Sequence, residues 1–210
     1  AEIHTRDTGE ITVTLALPEG PVIVDLPLVG RHNAWNAAAA AAAALALGIA
    51  PEAVARGLPH TALPAHRASL TEVHGVRVLD DCYNANPASV RAALDSLADL
   101  PGAGRLGVVL GDLRELGTDA AQLHRDLGRE LRARGVAVLV GVGPEAAALC
   151  DGARDAGVDD VIHVADAAAA VAAVRPRFAP GDRVLVKGSR AVGLEQLLQG
   201  WRQAPDGEVA

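Results

Sequence analysis

The sequence predicts an α/β fold: a mainly parallel sheet with helices on both faces, preceded by a smaller unit built on a β-hairpin and a helix. Three observations predict it. From about residue 68, short apolar runs alternate five times with helical segments across short loops, the pattern of parallel strands covered on both sides. Upstream, apolarity has period two around a Pro/Gly turn. Half of the 210 residues are apolar and 21% are charged, which supplies a packed core and argues against disorder.

The elements follow in order. Residues 11–15 and 22–26 alternate apolar and polar around Pro18-Glu19-Gly20-Pro21 and read as the hairpin. Residues 34–47 read as a helix, with polar residues ahead of it and Gly48 to stop it. Its eight alanines at 37–44 combine the best helix propensity with close packing. A short helix over 51–58 opens on Pro51, and 60–66, with Pro59 just before it, Pro64 within it and no period, reads as a linker. Strands are then expected at 76–80, 106–110, 136–140, 161–164 and 184–187. Helices are expected at 87–100, 120–134, 144–156, 167–174 and 194–201.

Composition narrows the function. Nineteen basic against 26 acidic residues leave a net charge of −7, and aromatics are 2%, so nucleic acid is not an expected partner. Cys82 and Cys150 are far apart with no CxxC spacing, which excludes a disulfide framework or cysteine zinc site and fits a reducing compartment. No apolar run reaches the roughly 18 residues of a membrane span, and no signal peptide opens the chain. The chain has no methionine, so either an initiator was trimmed or this is a piece of a longer protein.

Ligands of such sheets bind beyond the carboxyl ends of the strands. The first strand ends in Asp80-Asp81-Cys82-Tyr83-Asn84-Ala85-Asn86-Pro87. A carboxylate there can hold ribose hydroxyls, while Asn84 and Asn86 also suit a turn and a helix cap. The second ends in Gly111-Asp112-Leu113-Arg114-Glu115-Leu116-Gly117, with His124 in the next helix. The third ends in Gly141-Val142-Gly143-Pro144-Glu145-Ala146, which fits a dinucleotide fingerprint but is expected by chance in a glycine-rich chain. The fifth ends in Lys187-Gly188-Ser189-Arg190, a cluster suited to carboxylate or phosphate. In the first helix, His32 and Asn36 share a face, and asparagine amides match the N6/N7 edge of adenine. Arg67 stands at the junction, where a guanidinium can reach a phosphate. No GxxxxGK[ST] occurs, because Leu194 stands where 188–193 would need lysine.

Together these segments resemble the Mur ligases: Gly30-Arg31-His32-Asn33 with Asn36, Arg67, the Asp80–Pro87 and Leu110–Gly117 segments, His124, and Val186-Lys187-Gly188-Ser189-Arg190. The resemblance covers about residues 30 to 201. It departs at Cys82, Leu113 and Ala191, where the family usually has serine, methionine and glycine. It implies the end of a central ATP-binding domain at 1–66, a Rossmann-like C-terminal domain at 67–203 and a tail at 204–210. It also implies ATP-driven amide formation through an acyl phosphate, joining D-alanyl-D-alanine to UDP-N-acetylmuramoyl-tripeptide in cytoplasmic peptidoglycan precursor synthesis.

The P-loop and the Mg2+ ligands are expected upstream of residue 1, so the chain alone is expected to be an inactive monomer with no metal ligand or firm catalytic residue of its own. His32, Asn33, Asn36, Arg67, Asp81, Tyr83 and Asn84 are expected at the nucleotide. Asn86, Lys187, Ser189 and Arg190 are expected at the peptide substrates. Alternatives are a non-catalytic binding module, an NAD-dependent oxidoreductase resting on Gly141 and Gly143, and the folate-polyglutamate ligase branch, which the Lys187–Arg190 segment opposes.

Overall fold

The computed structural model describes residues 2–203, so the expected tail at 204–210 lies outside the described residues. The chain divides into two compact units: one runs to Pro64 and takes in Asp99–Pro101, the other holds Ala65–Ala98 and the chain from Gly102.

The first unit is an antiparallel sheet in the order β1(Ile3–Thr5), β2(Glu10–Leu17), β3(Gly20–Val29), followed by α1(His32–Ala46) and α2(Pro51–Gly57). The β2–β3 turn is Pro18-Glu19, closed by the Leu17–Gly20 pair. Period two sends Ile11, Val13, Leu15, Val24 and Leu26 to one face, where Ala34, Ala37 and Ala41 of α1 and Val54 of α2 cover them. Between the short turn Leu58–His60 and β4 there is no helix or strand, as the prolines dictate.

The second unit is a six-stranded sheet in the order β4-β5-β9-β6-β7-β8, from β4(Ser69–Val73), β5(Val76–Asp81), β6(Leu106–Gly111), β7(Val136–Val142), β8(Asp160–Val164) and β9(Arg183–Lys187). All neighbours are parallel except β4, which returns on β5 through His74-Gly75. Interleaved are α3(Pro87–Asp99), α4(Ala120–Ala133), α5(Ala146–Asp155), α6(Ala167–Val174) and α7(Leu194–Gln203). Val78, Val109, Val140 and Val186 pack with Ala170, Leu197 and Trp201 on one face. The alternating positions Leu79, Leu110, Leu139 and Leu185 are equally buried on the other. There α4 and α5 pack so closely that a Cβ on Gly152 would meet the Arg125 carbonyl oxygen at 2.0 Å.

Three expectations need correction. Strands β1 and β4 were not foreseen. The helix expected from residue 144 begins at Ala146 with Glu145 as its cap, because residues 143 and 144 are taken up in turning off β7.

The amino ends of β6 and β9 are tied by Asp182, which is 5% exposed and accepts from the Arg105 guanidinium at 2.7 Å and from the Arg105 and Ala179 N–H groups. Burial works to raise its pKa, but the Arg105 guanidinium and these N–H groups outweigh it and hold the carboxyl below its usual value. A depressed acid stabilises the fold above the unfolded pKa and loses that contribution as pH falls through the folded one. Asp182→Asn is therefore expected to flatten the acid side of a plot of urea midpoint against pH. An unchanged acid limb would show that Asp182 contributes nothing there.

Candidate functional site

Because β9 lies between β5 and β6, three loops far apart in sequence open side by side at the carboxyl edge. Residues 83–86 follow β5, 114–116 follow β6 and 189–191 follow β9, and they line one cavity of about 490 Å³. The loops are laced by backbone: the Ser189 N–H donates to the Asp112 carbonyl at 3.0 Å, and the Arg114 N–H donates to Ser189 Oγ at 2.9 Å. Glu115 holds φ +65 at the rim, a left-handed conformation that costs a non-glycine residue about 1 kcal/mol.

Asp81 and Lys187 face each other in register. Lys187 Nζ meets Asp81 Oδ2 at 2.5 Å and donates to the Asn84 carbonyl at 2.9 Å and, more weakly, to the Asp81 carbonyl at 3.4 Å. The lysine is 2% exposed, and its three hydrogens are used within the chain. Lys187, expected at the peptide substrates, lies in this structure as the buried counter-ion of Asp81. The other Asp81 oxygen accepts from the Ala68 N–H at 3.1 Å, yet a fifth of the side chain stays exposed. Asn86 also has a partner within the chain. Its Oδ1 accepts from the Ser89 N–H at 2.8 Å, capping α3 ahead of Pro87, although the residue still borders the cavity.

Tyr83 is the centre of the cationic side. Its N–H donates to the His66 carbonyl at 3.0 Å, which fastens the 65–68 segment to the end of β5. The Arg67 guanidinium lies 4.1 Å from its ring centroid and that of Arg190 lies 5.2 Å away. Both arginines are exposed, and among the described residues neither has a carboxylate within ion-pair distance. Ser189 is 4% exposed and spends an acceptor site of its hydroxyl on Arg114.

Sequence reasoning left out of the site two residues that the fold places in it. Arg114 and Glu115 border the cavity, and Arg114 is anchored by Asp112 at 3.1 Å and Glu145 at 3.2 Å. Their signal was the charged run after the second strand. His124 supports them from beneath: fully buried, it accepts the Leu113 N–H on Nε2 at 3.0 Å and donates from Nδ1 to the Ala120 carbonyl at 2.7 Å. That geometry fixes the neutral Nδ1–H tautomer.

The glycine pair after β7 is not a dinucleotide site. A fully buried Asp112 carboxylate accepts the Ala146 N–H at 2.8 Å, so the α5 N-terminus already holds an anion of the protein's own. Gly143, at φ +103, makes room for it: a Cβ there would lie 2.6 Å from the carboxylate.

In the first unit, buried Asn33 donates to the Val29 carbonyl at 2.9 Å and accepts from Asn36 at 3.0 Å. The Asn33 amide thus ties α1 to β3 and is not presented to a base. His32 and Asn36 are exposed on α1. The expected Mg2+ finds no fitting ligands: among the described residues the one cluster of possible ligands is His66, Asp80 and Cys82, a nitrogen–oxygen–sulfur set unlike the oxygen shell that Mg2+ demands.

Residues 66–190 match the family described as "Mur ligase, glutamate ligase domain". The chain belongs to the Mur ligase family. Among curated Mur ligases, the UDP-N-acetylmuramoyl-tripeptide–D-alanyl-D-alanine ligase of Escherichia coli (strain K12) is 35% identical over 200 residues, covering 94% of this chain and 42% of that protein. The same-named enzyme of Mycobacterium bovis is 41% identical over 204 residues, covering 86% and 40%. The chain spans about two fifths of the length of these curated relatives. A crystal structure of MurF from Acinetobacter baumannii superposes with a TM-score of 0.85 at 32% identity, covering 97% of this chain and 44% of that one. The MurF ligase of Thermotoga maritima, solved in complex with ADP, shares the fold at 22% identity and a TM-score of 0.81.

Proposed function

We propose that the chain is part of an ATP-dependent ligase that joins D-alanyl-D-alanine to UDP-N-acetylmuramoyl-tripeptide, supplying the wall of the site opposite the P-loop. The observation that carries the reading is the pair of guanidiniums, Arg67 and Arg190, gathered on one tyrosine ring with no acid partner among the described residues, in a chain of net charge −7. Two like charges held together on Tyr83, which lines the cavity with Arg190, favour an anionic ligand. The relatives named above suit it, since the substrates in their names carry phosphates and carboxylates.

In this reading the γ-phosphoryl group passes from ATP to the tripeptide's terminal carboxylate. The dipeptide amine attacks the acyl carbon and loses a proton, and phosphate departs with the former carboxylate oxygen. Catalysis is positioning and charge neutralisation. Arg67 faces the nucleotide phosphates. The exposed edge of Asp81, held in place by Lys187, accepts ribose hydroxyls, and Tyr83 and Asn84 line the same side. Arg190, with Ser189 beneath it and Arg114 across the cavity, takes the carboxylate of the incoming dipeptide.

In the full-length enzyme, Arg190→Ala is expected to raise KM for D-alanyl-D-alanine by about tenfold or more, the loss of one charge-assisted contact, and to leave KM for ATP unchanged. Arg67→Ala is expected to do the reverse. Steady-state kinetics with each substrate varied in turn reads both, and two variants with wild-type constants would remove the assignment.

A further inference from the structure

We propose that His66, Asp80 and Cys82 form a binding site for a zinc-like divalent ion. Nothing in the ligase reading uses these three side chains together, and the inference stands independently of it. Asp80 lies in β5 and Cys82 one residue beyond its end, and the Cys82 thiol donates to Asp80 Oδ1, so both side chains are on the same side. His66 comes from the preceding segment and is turned onto them by a left-handed backbone at φ +63, unusual for a residue with a side chain. The Tyr83 N–H bond to its carbonyl holds that turn in place.

The donor atoms are already gathered. His66 Nδ1 lies 2.8 Å from Asp80 Oδ2, Cys82 Sγ lies 3.1 Å from Asp80 Oδ1, and all the ligand atoms fall within 4.8 Å of one another. Around a tetrahedral ion with bonds of about 2.0–2.3 Å, donors stand roughly 3.3–3.8 Å apart, so the triad needs only a small opening. One nitrogen, one oxygen and one sulfur suit zinc rather than Mg2+ or Ca2+. Asp80 is 6% exposed in its side chain and Cys82 2%, whereas His66 keeps 31%, which leaves one open side for a water as fourth ligand.

The thiol loses its proton to solvent as the sulfur–metal bond forms, and the imidazole turns its Nδ1 lone pair to the ion and carries its hydrogen on Nε2. The carboxylate and thiolate then cancel the ion's two charges. The thiol resists that ionisation, because burial and the nearby Asp80 and Glu195 carboxylates push its pKa up. Binding is therefore expected to release one proton per ion.

The test titrates the purified chain with zinc alone and, in parallel, with cobalt(II) as an optical probe. One equivalent of zinc should bind with release of a proton, and cobalt should give a thiolate-to-metal charge-transfer band. Cys82→Ser, nearly the same shape, should abolish the band, and Cys150→Ser should keep it. His66→Gln, at a partly exposed position, should weaken zinc binding at least about tenfold. Failure to retain zinc, or a cobalt band that survives Cys82→Ser, would overturn the proposal and leave the ligase reading untouched.

Discussion

Replacing Lys187 by methionine is expected to cost about 3–5 kcal/mol of unfolding free energy, the usual penalty for removing one partner of a buried ion pair. The substitution keeps the length of the side chain, so the loss is electrostatic. Asp81 would keep its negative charge with only the Ala68 N–H to balance it, and the Asn84 carbonyl would lose its donor. Urea unfolding of the chain measures the change. Adding Asp81→Asn to the methionine variant should recover part of the loss, because no unpaired carboxylate then remains. A single-variant cost below about 1 kcal/mol would mean that solvent satisfies Asp81, and that Lys187 is not its essential counter-ion.

Asp112→Ala is the second large effect, expected at about 2–3 kcal/mol. The carboxylate is fully buried, and its removal strips the Ala146 N–H of its acceptor at the start of α5. It also frees Arg114 of one of its two anchors. Hydrogen exchange at Ala146 should accelerate more than at β7, which separates a loosened helix end from global destabilisation. Asp112→Asn keeps the shape and one acceptor, and is expected to lose about half as much. If Asp112→Ala melts with the wild type, the carboxylate is not what organises that corner.

The five parallel strands and their helices were legible because each is a local pattern: a short Val/Leu run, then an amphipathic or alanine-rich stretch. Strand β4 was missed because Ser69, Thr71 and Glu72 dilute its period, although His74-Gly75 stood between two extended runs as a hairpin signal. The place of β9 was not legible at all, since no local pattern states which strands pair. The polar strand ends were visible, but their roles were not. A lysine after a strand looks the same in sequence whether it meets solvent or a buried aspartate, so the Lys187–Asp81 pair could not be read from it. The family resemblance singled out Arg67, Tyr83 and Arg190 as expected site residues. Only coordinates brought two guanidiniums to one ring, or drew His66 from a proline-rich linker onto Asp80.

The late strand β9 also sets when this site can exist during synthesis. Until residues 183–187 leave the ribosome, β5 and β6 have no common neighbour, and each presents an open hydrogen-bonding edge. More than a hundred residues separate the partners Asp81 and Lys187, so the decisive pairing comes late and carries a high contact order. A nascent chain halted before Lys187 would hold Arg67, Asp81, Tyr83 and Asn84 and still lack residues 189–191, which close one side of the cavity.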